Sequence, residues 1–340
     1  MSQAEPGRLR RHVEALASSV RSERHNPAGM ASAWAYVTTH LEAAGWDVTE
    51  QPLQFKRKLG VADDKKPGGW WTFKIHRGLH GRNVLATAPG AAGPPLILAA
   101  HLDTVMGSPG ADDNASSVAV LLELATVLGS SAGRPVMLAF LDMEETGHFG
   151  AQALAKQMAA CGAAGMVCLE MVGYFSDEPG SQKLPAAAAR LVEGDKQVVN
   201  NINGERRGDF LLVIHRRSSR ALANGVRLGA AGTHLPVATL QDPRPERWGR
   251  RLATLLRPVT SNLDRSDHVP FWNRGIPSIA VTDTANLRNP HYHRPSDTAD
   301  TLDYDKLAAL TDAITHLVQH LPDRGEPVSA ASIPAERGER

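Results

Sequence analysis

Acidic and imidazole side chains follow three short apolar runs of this sequence, and these groups are common ligands of divalent metals. The runs and the residues that follow them are 95–100 with His101 and Asp103, 135–141 with Glu144 and Glu145, and 165–169 with Glu170. A lone histidine or acidic pair after a strand is usually an ordinary surface residue, but an unpaired carboxylate at the end of a buried strand is costly. Because parallel strands place their carboxyl ends on one edge of a sheet, we expect these side chains to converge on one metal site.

The loop after His101 carries more acid than a helix cap requires. Asp112, Asp113 and Asn114 directly precede a helical run at 115–128, which Gly129 ends. A single Asp or Asn would cap this helix and favour its dipole. A carboxylate of this loop could therefore bridge two cations.

A second cluster lies near the end of the sequence. Residues 289–298 follow the apolar run at 278–281 and contain His291 and His293. From the residues alone, either histidine could be a metal ligand.

Composition and charge exclude several classes of protein. The chain has 340 residues and a net charge of +1, so it has no basic excess that would attract nucleic acid or an acidic membrane. No stretch is long and apolar enough for a membrane helix, and residues 1–11 do not form a secretory signal. These observations predict a cytoplasmic protein. Only Cys161 and Cys168 are present, which excludes a disulfide scaffold and predicts two buried thiols.

Alternating apolar runs and helical patterns predict an α/β fold with a mostly parallel central sheet. We expect a single catalytic domain over residues 1–323 and a disordered tail over 324–340. Residues 56–77 are rich in Lys and Gly and are interpreted as a hairpin or surface excursion. Residues 180–265 are harder to assign, although they contain two short apolar runs, at 210–214 and 237–240.

Taken in order, the motifs resemble the co-catalytic di-zinc aminopeptidases, which are leucyl-aminopeptidase-like zinc exopeptidases related to glutamate carboxypeptidase and the glutaminyl cyclases. The resemblance covers about residues 8–320. The motifs that carry it are His101-x-Asp103, Gly110-Ala-Asp112-Asp113-Asn114, Glu144-Glu145-x-Gly147-x-x-Gly150, Glu170, Ser266-Asp267-His268-x-Pro-Phe271 and Tyr292-His293-x-x-x-Asp297-Thr298. The family implies a three-layer sandwich, in which helices flank a mixed, mostly parallel sheet.

The resemblance also implies a role for each residue. His101 and Glu170 would hold one zinc ion, Glu145 and His293 would hold the other, and Asp112 would bridge both. Glu144 would be the general base, since neighbouring side chains diverge and Glu144 cannot point the same way as Glu145. The family further implies a cis peptide bond between Asp112 and Asp113. By affinity alone, cobalt or manganese could replace zinc.

Supporting roles are expected for several neighbours of these ligands. Asp103 lies two residues from His101 and is expected to fix the tautomer of its imidazole. Asp297 would do similar work near His293, and Asp113, Asp267 and His268 would support the ligands or contact substrate. In glutamate carboxypeptidase relatives, the Tyr at the position of Tyr292 resembles a donor to the oxyanion; His268 is the alternative donor.

The resemblance implies an aminopeptidase whose substrate is a peptide with a free N-terminus. The acids of the site would attract the protonated amine of such a peptide. The alternatives are a glutaminyl cyclase or a carboxypeptidase on the same fold, although the Gly147 and Gly150 spacing is closer to the peptidases. A non-catalytic binding module is disfavoured because this sequence has a metal-binding residue type at every ligand position of the family. The sequence leaves the oligomeric state open.

Overall fold

A computed structural model describes residues 3–62, 72–129, 133–246 and 260–321 of the chain. Within these ranges, one sheet of nine strands lies between two layers of helices, in the order β1-β2-β4-β3-β5-β9-β7-β8-β6. The strands are β1 Asp47–Val61, β2 Phe73–Thr87, β3 Leu96–His101, β4 Val136–Leu141, β5 Gly165–Glu170, β6 Val192–Gly194, β7 Leu211–His215, β8 Val237–Gln241 and β9 Ser278–Thr282. The predicted three-layer α/β fold with a mixed, mostly parallel sheet is confirmed.

Helices cover both faces of this sheet. The α-helices of the described ranges, numbered here in chain order, are α1 Pro6–Leu16, α2 Pro27–Ala43, α3 Ser117–Leu128, α4 Phe149–Cys161, α5 Ala186–Ala189, α6 Lys196–Asn203, α7 Arg220–Ala230, α8 His268–Trp272 and α9 Tyr304–His320. A π-helical turn, Ala111–Ser116, precedes α3.

The centre of the sheet forms where the sequence is continuously apolar. Strands β3 and β4 are buried at all six of their positions, because helices cover both of their faces. Alternate residues of β3 enter different cores: Leu96 and Leu98 pack in one, and Ile97 and Ala99 pack in the other. Strands β4, β3, β5 and β9 run parallel, so their carboxyl ends share one edge.

The edges of the sheet are antiparallel. Strands β1 and β2 pair as a long hairpin, as the interpretation of residues 56–77 suggested, and residues 63–71 lie outside the described ranges. Residues 180–265, which were harder to assign, supply β6, β7 and β8 with their helices, and β7 and β8 coincide with the apolar runs at 210–214 and 237–240. The expected tail at 324–340 also lies outside the described residues.

Two smaller expectations have different outcomes. Cys168 is buried as predicted, but Cys161 is exposed because it lies in the last turn of α4. No helix in the described ranges has the length and hydropathy needed to cross a membrane. The cytoplasmic location stays a prediction.

A buried histidine in α1 makes the folding stability sensitive to acid. His12 is 7% exposed, and its Nδ1 lies 2.9 Å from the Tyr36 hydroxyl. Burial, with smaller contributions from His40 and Arg11, lowers the pKa of His12 from 6.5 to about 4. Between these values the unfolded chain binds more protons than the folded chain, so stability is lost as the pH falls below the unfolded pKa.

We expect the wild-type protein to lose about 2 kcal/mol more unfolding free energy than His12→Gln between about pH 7 and about pH 5. Glutamine remains polar at this position but does not titrate. Urea unfolding at both pH values measures the difference. Equal losses in the two proteins would show that His12 does not set this part of the acid sensitivity.

Candidate metal centre

Strand ends bring the predicted ligands together at one edge of the sheet. His101 is the last residue of β3 and Glu170 is the last residue of β5, which lies beside it. Glu144 and Glu145 follow β4, the other neighbour of β3. The convergence expected from a parallel sheet is therefore present in the structure.

One group of possible ligands surrounds the imidazole of His101. Its Nε2 lies 3.2 Å from Oδ1 of Asp113 and 3.6 Å from Oε2 of Glu170. His101 and Asp113 are almost fully buried, and Glu170 is partly buried. These atoms face a common point at the end of β3 and β5.

A second group surrounds the imidazole of His293. Its Nε2 lies 3.1 Å from Oδ2 of Asp113 and 3.4 Å from Oε2 of Glu145. The two oxygens of Asp113 therefore face the two different histidines. Asp113 is common to both groups, as a bridging carboxylate would be.

Asp113, and not the Asp112 that the resemblance implied, is the residue that lies between the two groups. The carboxylate of Asp112 points away from both histidines and accepts hydrogen bonds from the Gly173 amide at 2.9 Å and from Asn289 Nδ2 at 2.6 Å. Neighbouring side chains diverge in this turn, as they do at the Glu144 and Glu145 pair. Asp113 is thus placed between the ligand groups, and not in a supporting position.

The backbone of this turn also differs from expectation. The cis peptide bond joins Asp113 to Asn114, one bond later than the resemblance implied. Asn114 links the turn to the end of β5: its Nδ2 donates to the Leu169 carbonyl at 3.0 Å, and its Oδ1 accepts from the Met171 amide at 3.0 Å. Sequence reasoning had treated Asn114 only as a capping residue.

Asp297 holds the same turn from the other side. Its Oδ1 accepts a hydrogen bond from the Asp112 amide at 2.8 Å, and its Oδ2 accepts one from the Asp113 amide at 3.2 Å. The prediction placed Asp297 near His293 in sequence. In space, it positions the carboxylate of Asp113 through the backbone.

Asp103 connects the ends of β3 and β4. Its backbone oxygen lies 3.0 Å from His101 Nδ1, which leaves Nε2 free to face the carboxylates. Its side chain accepts hydrogen bonds from the amides of Glu144 at 3.0 Å and Glu145 at 3.2 Å. The carbonyl of Asp103 is the nearer partner of His101 Nδ1, with Oδ1 of its carboxylate at 3.6 Å, and the same carboxylate also orients the Glu pair.

Arg21, for which the sequence predicted no role, joins the loops next to the ligand groups through hydrogen bonds. This arginine is fully buried, yet its guanidinium faces backbone carbonyls and not carboxylates. It donates to the carbonyls of Leu16, Leu102, Pro109 and Gly110 at 2.7–2.9 Å. Burial lowers the pKa of Arg21 to about 10, so it remains a cation at neutral pH.

Glu144 belongs to neither ligand group and has its own surroundings. Burial raises the pKa of Glu144 to about 8. Its Oε1 lies 3.1 Å from Nδ1 of His148, and that nitrogen lies 3.4 Å from Oδ1 of Asp267. His148 was not predicted, because the Glu144-Glu145-x-Gly147-x-x-Gly150 pattern leaves its position free. Its spacing of four residues from Glu144 was the available signal.

Gly150 allows the chain to turn closely past the end of β4. A Cβ atom at Gly150 would lie 2.3 Å from the Asp142 carbonyl oxygen and 2.4 Å from Asn83 Oδ1. Any larger residue would push α4 away from the strand that positions Glu144 and Glu145. The glycine of the motif is thus explained by close packing.

Tyr292 and His268, the two proposed oxyanion donors, differ in their freedom to donate. The Tyr292 ring stacks on the His293 ring at 3.7 Å, and burial raises the pKa of its phenol well above 10, so the hydroxyl stays protonated. His268 is buried, and its Nε2 lies 3.0 Å from the Leu263 carbonyl, which occupies the N–H of that nitrogen. Burial lowers the pKa of His268 to about 4, so its imidazole is neutral.

An apolar cavity of about 100 Å³ opens beside these residues. Glu170, His268 and Tyr292 line it on the side of the ligand groups. Its apolar walls are formed by Leu184, Leu212, Ile214, Leu240 and Ala280. An aliphatic side chain placed here would lie next to Glu170.

The donor set fits a pair of zinc ions. Two imidazoles and three carboxylates are borderline and hard ligands of the kind that zinc takes. Ligand atoms about 3.3 Å apart match a tetrahedral ion with bonds of about 2.0–2.1 Å, and the contacts measured here are 3.1–3.6 Å. Oε1 of Glu145 is buried and has no hydrogen-bond partner among the described residues, as expected of a ligand atom.

Comparisons with known sequences agree with this geometry. Uncharacterized protein YfbL of Escherichia coli K12 is 32% identical over 251 residues, which are 70% of each chain. Leucine aminopeptidase 1 of Arthroderma otae is 24% identical over 259 residues, which are 70% of this chain and about half, 54%, of that protein.

Solved structures share the fold at low sequence identity. A zinc aminopeptidase from Bacillus subtilis superposes with a TM-score of 0.64 and 15% identity, over 93% of this chain and 95% of that one. Porphyromonas gingivalis glutaminyl cyclase gives a TM-score of 0.60 and 20% identity, over 92% and 97%. The model of peptidase family M28 matches residues 83–211 and 228–318, more than half of the sequence. The chain belongs to peptidase family M28, and it is a peptidase.

Proposed function

We propose that this peptidase is a two-zinc aminopeptidase that releases the N-terminal residue of a peptide. The observation that carries the proposal is the position of Asp113, whose two oxygens face His101 and His293 on opposite sides. The names of the leucine aminopeptidase from Arthroderma otae and the zinc aminopeptidase from Bacillus subtilis support both the reaction and the metal.

The ligands divide into two sets that share Asp113. His101 and Glu170 complete one set, and Glu145 and His293 complete the other. Zinc bound at these ligands would polarise the scissile carbonyl and acidify the attacking water. Ser266 supports the first set, since its hydroxyl donates to Glu170 Oε2 at 2.7 Å.

Glu144 is the general base of the proposed reaction. It lies directly before Glu145 but joins neither ligand set, and zinc ions bound beside it would favour the ionised carboxylate that takes a proton from water. The same group then passes this proton to the leaving amine. The Asp103 carboxylate holds the backbone of Glu144 in place during both transfers.

Tyr292 supplies the hydrogen bond that stabilises the oxyanion of the tetrahedral intermediate. Its phenol remains protonated because burial raises its pKa. We expect Tyr292→Phe to keep its metals and its fold, while kcat falls about 10²-fold and KM changes little. Steady-state kinetics with metal analysis measures this. A kcat within about threefold of wild type would exclude Tyr292 as the donor.

The apolar cavity beside Glu170 selects the first side chain of the peptide. A leucine side chain buries about three more carbon groups there than an alanine side chain does. This difference contributes about 2 kcal/mol of binding free energy, which corresponds to about 30-fold in kcat/KM. Glu144 joins neither ligand set, so its carboxylate would keep its charge beside bound zinc and attract a protonated amine. The substrate is therefore a peptide with a free amine and an aliphatic first residue.

A substrate panel tests this function. We expect leucyl-p-nitroanilide to be cleaved about 30-fold faster in kcat/KM than alanyl-p-nitroanilide, and N-acetyl-leucyl-p-nitroanilide to resist cleavage. Chelation should abolish activity, and analysis of the reloaded enzyme should find two ions per chain. Equal turnover of free and acetylated substrates would contradict an aminopeptidase. Cyclisation of an N-terminal glutaminyl peptide without hydrolysis would favour the cyclase alternative.

A further inference from the structure

A third group of possible metal ligands lies beside the proposed general base. Glu144 follows β4, His148 directly precedes α4, and Asp267 directly precedes α8. One ligand atom from each of these side chains lies within 4.8 Å of the other two. Histidine nitrogens and carboxylate oxygens are both ligand atoms that zinc takes.

The polar atoms of this group converge without forming hydrogen bonds. His148 Nδ1 is 3.1 Å from Glu144 Oε1 and 3.4 Å from Asp267 Oδ1, but neither approach has hydrogen-bond alignment. Both carboxylate oxygens of Asp267 are buried and accept no hydrogen bond from the residues that the structure describes, and the residue is 1% exposed. Buried carboxylates without partners are rare because desolvation is costly.

Among the described residues, His148 is the one basic side chain that pairs with Asp267. Within the described part of the chain, no lysine or arginine forms an ion pair with this carboxylate. A cation between the three groups would satisfy the unpaired oxygens of Asp267 and the ring nitrogen of His148 together. The distances of 3.1 and 3.4 Å match the separation of about 3.3 Å between ligands of a tetrahedral zinc ion.

We propose that Glu144, His148 and Asp267 form a third, inhibitory zinc site. The inhibition rests on the proposed function, because zinc held there would occupy the carboxylate of Glu144 and prevent it from accepting a proton. This site differs from the two ligand sets around Asp113, since none of its three residues belongs to either of them. Free zinc would thus regulate the enzyme by competing with a proton for its general base.

Zinc titration of the enzyme, already loaded with its first two ions, tests the proposal. Equilibrium dialysis against buffered zinc chloride, followed by elemental analysis, counts the bound ions, and parallel assays with leucyl-p-nitroanilide follow activity. We expect a third equivalent to bind, and activity to fall about 10²-fold or more as it does. If only two ions bind at all zinc concentrations that inhibit, the third site does not exist.

Two variants identify the ligands of this third ion. His148→Asn removes the imidazole but keeps a residue type that tolerates the left-handed backbone at this position, where φ is 58°. Asp267→Asn keeps the shape of the side chain and removes its charge. The activity of each variant is compared with its own activity at two equivalents of zinc. We expect each variant to need at least about tenfold more zinc than wild type for half-inhibition. Each variant should also fail to bind the third equivalent of zinc.

His80→Asn is the matched control, because His80 is exposed on β2 and lies outside all three groups. It should bind and respond to zinc as wild type does. Unchanged zinc binding and inhibition in both His148→Asn and Asp267→Asn would overturn the site and leave protonated His148 as the partner of the two carboxylates. A third ion that binds without inhibition would support the site but overturn Glu144 as the general base.

Discussion

Glu144→Gln is expected to reduce kcat by about 10²–10⁴-fold while two metal ions remain bound. The amide has nearly the same shape as the carboxylate but cannot accept the proton of water. Glu144 also stands outside the two ligand sets around Asp113, so its loss should not release either ion. Steady-state kinetics and elemental analysis of the same sample measure both quantities.

Glu145→Gln is the matched control for this change. It alters the same functional group one residue later, in a side chain whose Oε2 lies 3.4 Å from His293 Nε2. We expect this variant to lose metal, and to lose activity for that reason. If Glu144→Gln lost metal and Glu145→Gln kept it, the base and the ligand would have to be exchanged.

Asp113→Asn should weaken both metal sites and reduce kcat/KM by more than about 10²-fold, since a shared ligand contributes several kcal/mol through both ions. The neighbouring Asp112→Asn should keep both ions. Asp112 accepts hydrogen bonds from Gly173 and Asn289, so its loss should instead reduce the unfolding free energy by about 1–3 kcal/mol.

Metal titration and thermal unfolding of this pair of variants separate a ligand from a structural acid. The two positions are adjacent and chemically identical, so nonspecific effects of charge should be similar. Metal loss in Asp112→Asn together with metal retention in Asp113→Asn would restore the bridge that the sequence resemblance implied.

Much of the fold and of the ligand set could be predicted because parallel strands leave a simple signal. Buried strands such as β3 and β5 are continuously apolar, and a ligand directly after them must lie at the shared edge of the sheet. His101 and Glu170 were predicted on this basis and lie together. Shorter elements such as β6, with three residues, left no comparable pattern.

The choice between Asp112 and Asp113 could not be predicted from spacing alone. In a turn, the direction of each side chain depends on the local backbone, whose amides here donate hydrogen bonds to Asp297, far away in sequence. His148 was missed for a related reason. Its approach to Asp267 depends on the packing of α4 against α8, which no local pattern records.

The hydrogen bonds of Arg21 indicate how much of the chain the enzyme needs for activity. The family match begins at residue 83, and a fragment chosen by that limit would retain every proposed metal ligand. It would lack the guanidinium that joins Leu102, next to His101, to Gly110, ahead of Asp113. Those carbonyls would lose the hydrogen bonds of Arg21, and the two loops would lose the side chain that joins them. The smallest catalytic unit therefore includes the N-terminal helices, although they contribute no ligand.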